Sequence, residues 1–129
     1  MEQSPEERKK YLAELNKIAA YTAEILHGDD VSKVRIKQYK KYFNKTYKML
    51  HRIATLKGDI NNNSFKYGYG GKILVRRVML ELQLISKQKV GRKKTTYTLL
   101  FSPDEITLDL VSRIIVEVYL IRNDIESFE

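Results

Sequence analysis

Two groups of cations in this sequence have a spacing that suits one kind of chemistry. Gly91-Arg92-Lys93-Lys94 puts three adjacent positive charges between two apolar, strand-like arms, LISKQKV and TTYTLLF. Just upstream, Lys72, Arg76 and Arg77 recur about one helical turn apart. Neighbouring like charges repel, and an anionic partner is the usual offset. Phosphates offer a further gain, because each one neutralised releases condensed counterions. Arginine can add recognition, since its planar fork meets O6 and N7 of guanine together. The chemistry open to these residues is the binding of a polyanion.

Competing chemistries find little support. The chain has no cysteine, which excludes disulfides, thiolate metal sites and a thiol nucleophile. His27 and His51 are its only histidines, far apart in sequence, so a zinc site is not expected. His27 at a helix end suits the carbonyls exposed there. Gly68-Tyr69-Gly70-Gly71-Lys72 mimics a phosphate loop, but Lys66 stands where the pattern needs glycine and Ile73 where it needs Ser or Thr. No histidine, serine and acid form a recognisable triad. The expectation is a protein without enzymatic activity, cofactor or metal.

The charge distribution sharpens the first reading. The net charge of +8 over 129 residues conceals a basic centre: residues 31–101 hold 18 Lys and Arg against Asp59 and Glu81 alone. Acids collect in the two ends. Such segregation argues for nucleic-acid binding rather than for simple solvation of exposed faces. No apolar run approaches the ~20 residues that span a bilayer. The N-terminus, MEQSPEERKK, has no apolar core of a secretory signal. Absence of cysteine fits an intracellular, cytoplasmic location.

The elements that must position these cations carry their own signals. Ser4-Pro5-Glu6-Glu7 and Ser102-Pro103-Asp104-Glu105 are capping boxes with proline at the first helical position. The first predicts a helix from about Pro5 to His27, stopped by Gly28. Asp29-Asp30 then caps a second helix, Val31 to Lys57, ended by Gly58. Ile36, Tyr39, Phe43, Tyr47, Leu50, Ile53 and Ala54 make its apolar stripe. Lys37, Lys40, Lys41, Lys45, Lys48 and Arg52 make a basic outer face, with Lys45 and Lys48 as candidate DNA contacts. GDINNNSFKYGYGG, residues 58–71, reads as turns with a short helix starting at Asn63 or Ser64. A helix returns over Lys72 to Leu82, with Leu74 or Val75, Val78 and Leu82 inward. In the second hairpin arm Tyr97, Leu99 and Phe101 alternate, so one face is buried and the threonines face out. A final helix runs from Pro103 to about Asp124. The fold class is α+β, mainly helical, in a single domain over residues 1–129.

A helix, a glycine-broken turn, a second helix ending in Leu-x-Leu-Ile and a basic-tipped hairpin resemble the winged helix-turn-helix family. The resemblance covers about Tyr42 to Phe101, with an N-terminal helical extension and a C-terminal helix outside it. Its most specific part is VRRVMLELQLISKQKVGRKKTTYTLLF. The family's middle helix would lie within residues 59–69, where FKYGYGG is poor helix material. The resemblance implies a recognition helix at Lys72 to Leu82 that enters the major groove. It makes Lys72, Arg76 and Arg77 the DNA-facing cations, Tyr69 a contact beside them, and Arg92, Lys93 and Lys94 the wing tip on phosphates or in the minor groove.

The last helix carries a broad apolar stripe, and two arrangements fit it: packing on the chain's own core, or a dimer interface. For a homodimer, Val111, Ile114, Val118 and Ile121 would pair with their mates and space two recognition helices about one DNA turn apart. The function expected is sequence-specific binding of double-stranded DNA, as a dimeric transcriptional regulator. Two alternatives come from other classes. One is a protein–protein adaptor whose basic face meets an acidic partner. The other is an RNA or single-strand binder that stacks bases on Tyr67 and Tyr69.

Overall fold

The first helix begins at Pro5 because Ser4 is extended and its hydroxyl accepts from the Glu7 N–H at 3.2 Å. In the computed structural model, which describes residues 4–29, 31–56, 60–65, 69–92 and 94–127, helix α1 spans Pro5–His27. Gly28 closes it at φ 62°, a conformation that costs glycine little, and its N–H bonds the Glu24 carbonyl. Helix α2 spans Lys33–Thr55. Its cap is Ser32, which accepts from the Arg35 N–H, and not the Asp29-Asp30 pair expected from the sequence. Asp30 lies outside the described residues, as do Lys57 and Gly58 at the other end of this helix.

A 3-10 turn, Asn62–Phe65, follows, then helix α3 over Lys72–Glu81. Strands β1, Ile85–Val90, and β2, Lys94–Leu99, pair antiparallel with Val90 opposite Lys94. A second 3-10 turn, Pro103–Glu105, precedes helix α4, Leu108–Ser127. The fold class stands as expected at this level: mainly helical, with one small antiparallel sheet. The final helix differs from its expected start at Pro103. The Ser102–Glu105 capping box is formed, but it caps only a 3-10 turn. Ile106 is buried beyond it, and Thr107 starts the helix afresh by accepting from the Leu110 N–H.

Helix α4 packs against α1, α2 and α3 and supplies much of the core. Val111, Ile114, Ile115 and Val118 have no exposed surface and meet Phe43, Leu50, Phe65 and Val75 in one buried cluster. The broad stripe on α4 therefore reflects three neighbours within the chain. That corrects the expected dimer interface: Val111, Ile114 and Val118 are spent inside the protomer, and Ile121 is half-buried against the same core. Polar groups follow the packing. Thr22 donates to the Ile18 carbonyl at 2.7 Å, so Ser112 of α4 donates to Thr22 at 2.8 Å.

His27 and Tyr39 meet beside α4, with Nε2 2.6 Å from the hydroxyl and 3.1 Å from Arg35 Nη1. A guanidinium can only donate, so Nε2 is an acceptor and the ring is neutral at that nitrogen. His27 is thus a packing partner rather than a charge for the helix end, and the Tyr39 hydroxyl is bonded rather than wet. Burial is the main cause that pushes the Tyr39 hydroxyl well above its ordinary 10.0. A folded-state value raised in this way leaves stability intact below pH 10.0 and removes it as the pH climbs toward the folded value. Thermal melts across pH 9 to 11 should show that decline, and Tyr39→Phe should flatten it; equal slopes in both proteins would contradict the assignment.

Candidate nucleic-acid interface

The amino end of α3 is built by two glycines. Gly70 and Gly71 sit at φ 87° and 84°, where other residues are strained, and Gly71 offers no side chain as a cap. From there the helix divides cleanly. Val75, Val78 and Met79 are fully buried. Leu82, expected among them, is only half-buried and caps the helix end instead. The opposite side carries Lys72, Ile73 and Arg77, all exposed, and Arg76, half-buried. Lys72 Nζ lies 3.5 Å from Asn63 Oδ1, and Arg77 Nε pairs with Glu81 at 3.3 Å on the surface. An exposed pair of this kind contributes little stability and can be exchanged for a phosphate.

The hairpin is fastened to α3 and to the connection before it. Leu84 N–H bonds the Met79 carbonyl at 2.9 Å, and Leu100 N–H bonds the Leu84 carbonyl at 2.8 Å. Tyr97 does most on the other side. Its N–H bonds the Ile60 carbonyl at 2.9 Å, which makes Ile60 a one-residue third strand. Its hydroxyl donates to Asn62 Oδ1 at 2.8 Å, and its ring meets Phe65 edge-on at 5.4 Å. Thr98 faces out as expected, but Thr96 is buried where the strand lies beside Ile60.

Where a middle helix was expected, the described residues form only the 3-10 turn Asn62–Phe65. Phe65 anchors it in the core, Asn61 Oδ1 accepts from the Asn63 N–H, and Arg52 donates to the Ser64 carbonyl at 2.5 Å. Arg52 is therefore tied to this turn rather than standing on the basic outer face of α2.

Arg92 and Lys94, expected at a wing tip, are exposed at the hairpin's far end, while Lys93 lies outside the described residues. Gly91 turns the chain there at φ 80°. The same arm carries Lys87 and Lys89, exposed and on the face of β1 that continues from Tyr97. Sequence reasoning passed over both; their period-two spacing toward the tip was the available signal. It also passed over Ile73, 65% exposed in the middle of the α3 cations. An apolar group there suits the C5 methyl of thymine as arginine suits guanine.

Tyr69 is half-buried and already has neighbours within the chain. Its ring packs 4.3 Å from that of Tyr42, Arg122 stands over it at 5.9 Å, and its N–H reaches Thr46 Oγ1 at 3.4 Å. Burial above all pushes its hydroxyl up, with Arg122 pulling it back. Tyr67 lies outside the described residues. Lys45 and Lys48 are exposed on α2, where they line one hollow with Lys37, Lys40 and Lys41.

Glu81 is the acid among the α3 cations, and three others line a groove elsewhere. A groove of about 870 Å³ between α1 and the start of α4 is lined by Glu14, Glu24 and Asp109 against one cation, Lys17, around Ile18, Tyr21 and Leu108. A polyanion would be repelled there. Among the described residues no three His, Asp or Glu side chains gather as a metal site, and no helix is long and apolar enough to cross a membrane. No known family model matches this chain, and neither a curated protein nor a solved structure is measurably similar to it.

Proposed function

We propose that this protein binds double-stranded DNA in the manner of a winged helix, with α3 in the major groove and the β1–β2 hairpin against the flanking backbone. One observation carries the reading. The hairpin is bonded at its base to the end of α3 and through Tyr97 to the turn before it, which joins the two elements that carry the cations. A rigid two-part cationic surface needs little ordering on binding, and less of the interaction is lost to entropy. Lys72, Arg77, Lys87, Lys89, Arg92 and Lys94 supply phosphate contacts and hence affinity. Arg76 and Ile73 supply preference among sequences, and occupancy of a preferred site would be the regulatory act.

The reading departs from a dimer paired through α4, because that face is buried within the chain. The pseudo-palindromic site expected from such a dimer goes with it. Tyr42 already packs on the Tyr69 ring, which leaves less of it for stacking unpaired bases. Selection of a preferred site from random duplexes, followed by anisotropy, tests the role of α3. Arg76→Ala should cost about 1–3 kcal/mol on the selected site and clearly less on random duplex. Equal losses on both would make Arg76 a phosphate contact; failure to select any site would remove the claim of sequence preference.

A further inference from the structure

Helix α2 has no acid along its length, and its outward side is a row of lysines. Lys37, Lys40, Lys41, Lys45 and Lys48 surround a hollow of about 470 Å³, with Asn44 as its one uncharged lining residue. The opposite side of the helix is the core: Tyr39, Phe43, Leu50 and Ile53. The two flanks are also occupied. Tyr42 meets Tyr69 at the foot of α3, and Tyr47 meets Tyr11 of α1 at 5.9 Å. The lysine row lies between those flanks and points away from the packing that joins α2 to the rest of the chain.

The residues of that row are distinct from those of the surface proposed above. On α2 they lie opposite the core side chains Tyr39, Phe43, Leu50 and Ile53, and the α3 cations lie opposite Val75, Val78 and Met79. Five ammonium groups lie along one side of a helix that carries no acid of its own. The spacing points to the offsetting partner. From Lys37 to Lys48 the helix advances about 16 Å. One strand of duplex DNA presents a phosphate every ~3.4 Å of its axis, so about five phosphates span the same length. An extended, regularly charged backbone fits this row better than a compact anion, which could meet only one or two lysines.

We propose that the lysine row of α2 is a second duplex-binding surface, so that one protein molecule bridges two DNA segments. The inference rests on the reading of α3 and the hairpin as the first surface. Contacts from lysine alone carry no base recognition, so the second segment would be held without sequence preference.

The test uses the full chain and two duplexes of mixed sequence, one biotinylated and held on beads, the other fluorescent. Wild type should carry the fluorescent duplex to the beads. Lys37, Lys41, Lys45 and Lys48 are all exposed, and alanine is a good helix former, so replacing the four by alanine leaves the fold intact. That variant should lose at least ~10-fold in bridging, since four phosphate contacts vanish. Its affinity for a single short duplex should fall by less than roughly threefold, because the first surface is untouched. Equal losses in both assays would mean that α2 shares the first duplex, and the proposal fails. Wild type that binds duplex without bridging also overturns it, and leaves the α3 reading standing. Wild type with no duplex affinity overturns both. Vesicles rich in phosphatidylserine run in parallel: if the α2 variant loses vesicle binding but keeps bridging, the row serves a membrane surface and the proposal is wrong. Light scattering on the same samples must show a monomer, since bridging by a dimer that survives the α2 substitutions would contradict it as well.

Discussion

Val118→Glu should unfold the protein rather than release a soluble monomer. Val118 has no exposed surface, and its Cγ1 sits where a Cβ on Gly70 would have to go. The site is dry and apolar, among Ile114, Ile115 and Val75 in the same cluster. A carboxylate there would be cut off from water, with Arg122 one turn along α4 standing over Tyr69 rather than in the core, at a cost of several kcal/mol, on the order of 4. Domains of this size are stable by only about 5–15 kcal/mol. Circular dichroism of the variant should show lost helix or a melting point lowered by tens of degrees. A folded variant with an unchanged melt, whatever its oligomeric state, would mean that the α4 face is open after all. Gly70→Ala probes the same contact from the other side and should destabilise through the collision and the positive φ together.

The second large effect is on affinity. Replacing Lys72, Arg77, Arg92 and Lys94 together by alanine should weaken duplex binding by about 10²–10³ near physiological salt, if each meets one phosphate. All four are exposed, so the melting temperature should move little. The loss should be similar for every duplex sequence, because phosphate contacts position without specifying. A variant that binds as wild type does would take α3 and the hairpin off the DNA. An unequal loss among sequences would instead give one of these residues a role at base edges.

The sequence made some of this fold plain and hid the rest for identifiable reasons. Ser4-Pro5 and Ser102-Pro103 were legible because proline at a first helical position and a side-chain acceptor before it act locally. Yet Ser102 capped only a 3-10 turn, since burying Ile106 bends the chain before the helix can continue. That bend depends on the core, which local pattern does not show. Ser32 displaced Asp29-Asp30 as the cap of α2 for a similar reason: several acceptors lie within four residues, and packing decides among them.

The stripe on α4 was read correctly as wide but could not say who covers it. Width counts neighbours, and three helices of one chain cover a stripe as well as a second copy does. Among the candidate contacts, Lys72, Arg77, Arg92 and Lys94 stand exposed as the resemblance implied, while Lys87 and Lys89 on β1 were missed. The packing of Tyr69 was not legible, because only the fold brings Tyr42 and Arg122 to its ring. Arg52 likewise looked like one more surface cation until the Ser64 carbonyl met it.

Neutralisation of duplex phosphates by α3 and the hairpin is the central claim. The direct measurement is the affinity of the wild-type chain for a random duplex, by anisotropy, across a series of salt concentrations. With between four and seven cations engaged, log Kobs should fall linearly against log salt with a slope of about −4 to −6. Affinity that stays flat from low to physiological salt, or no binding at micromolar protein in low salt, would contradict it.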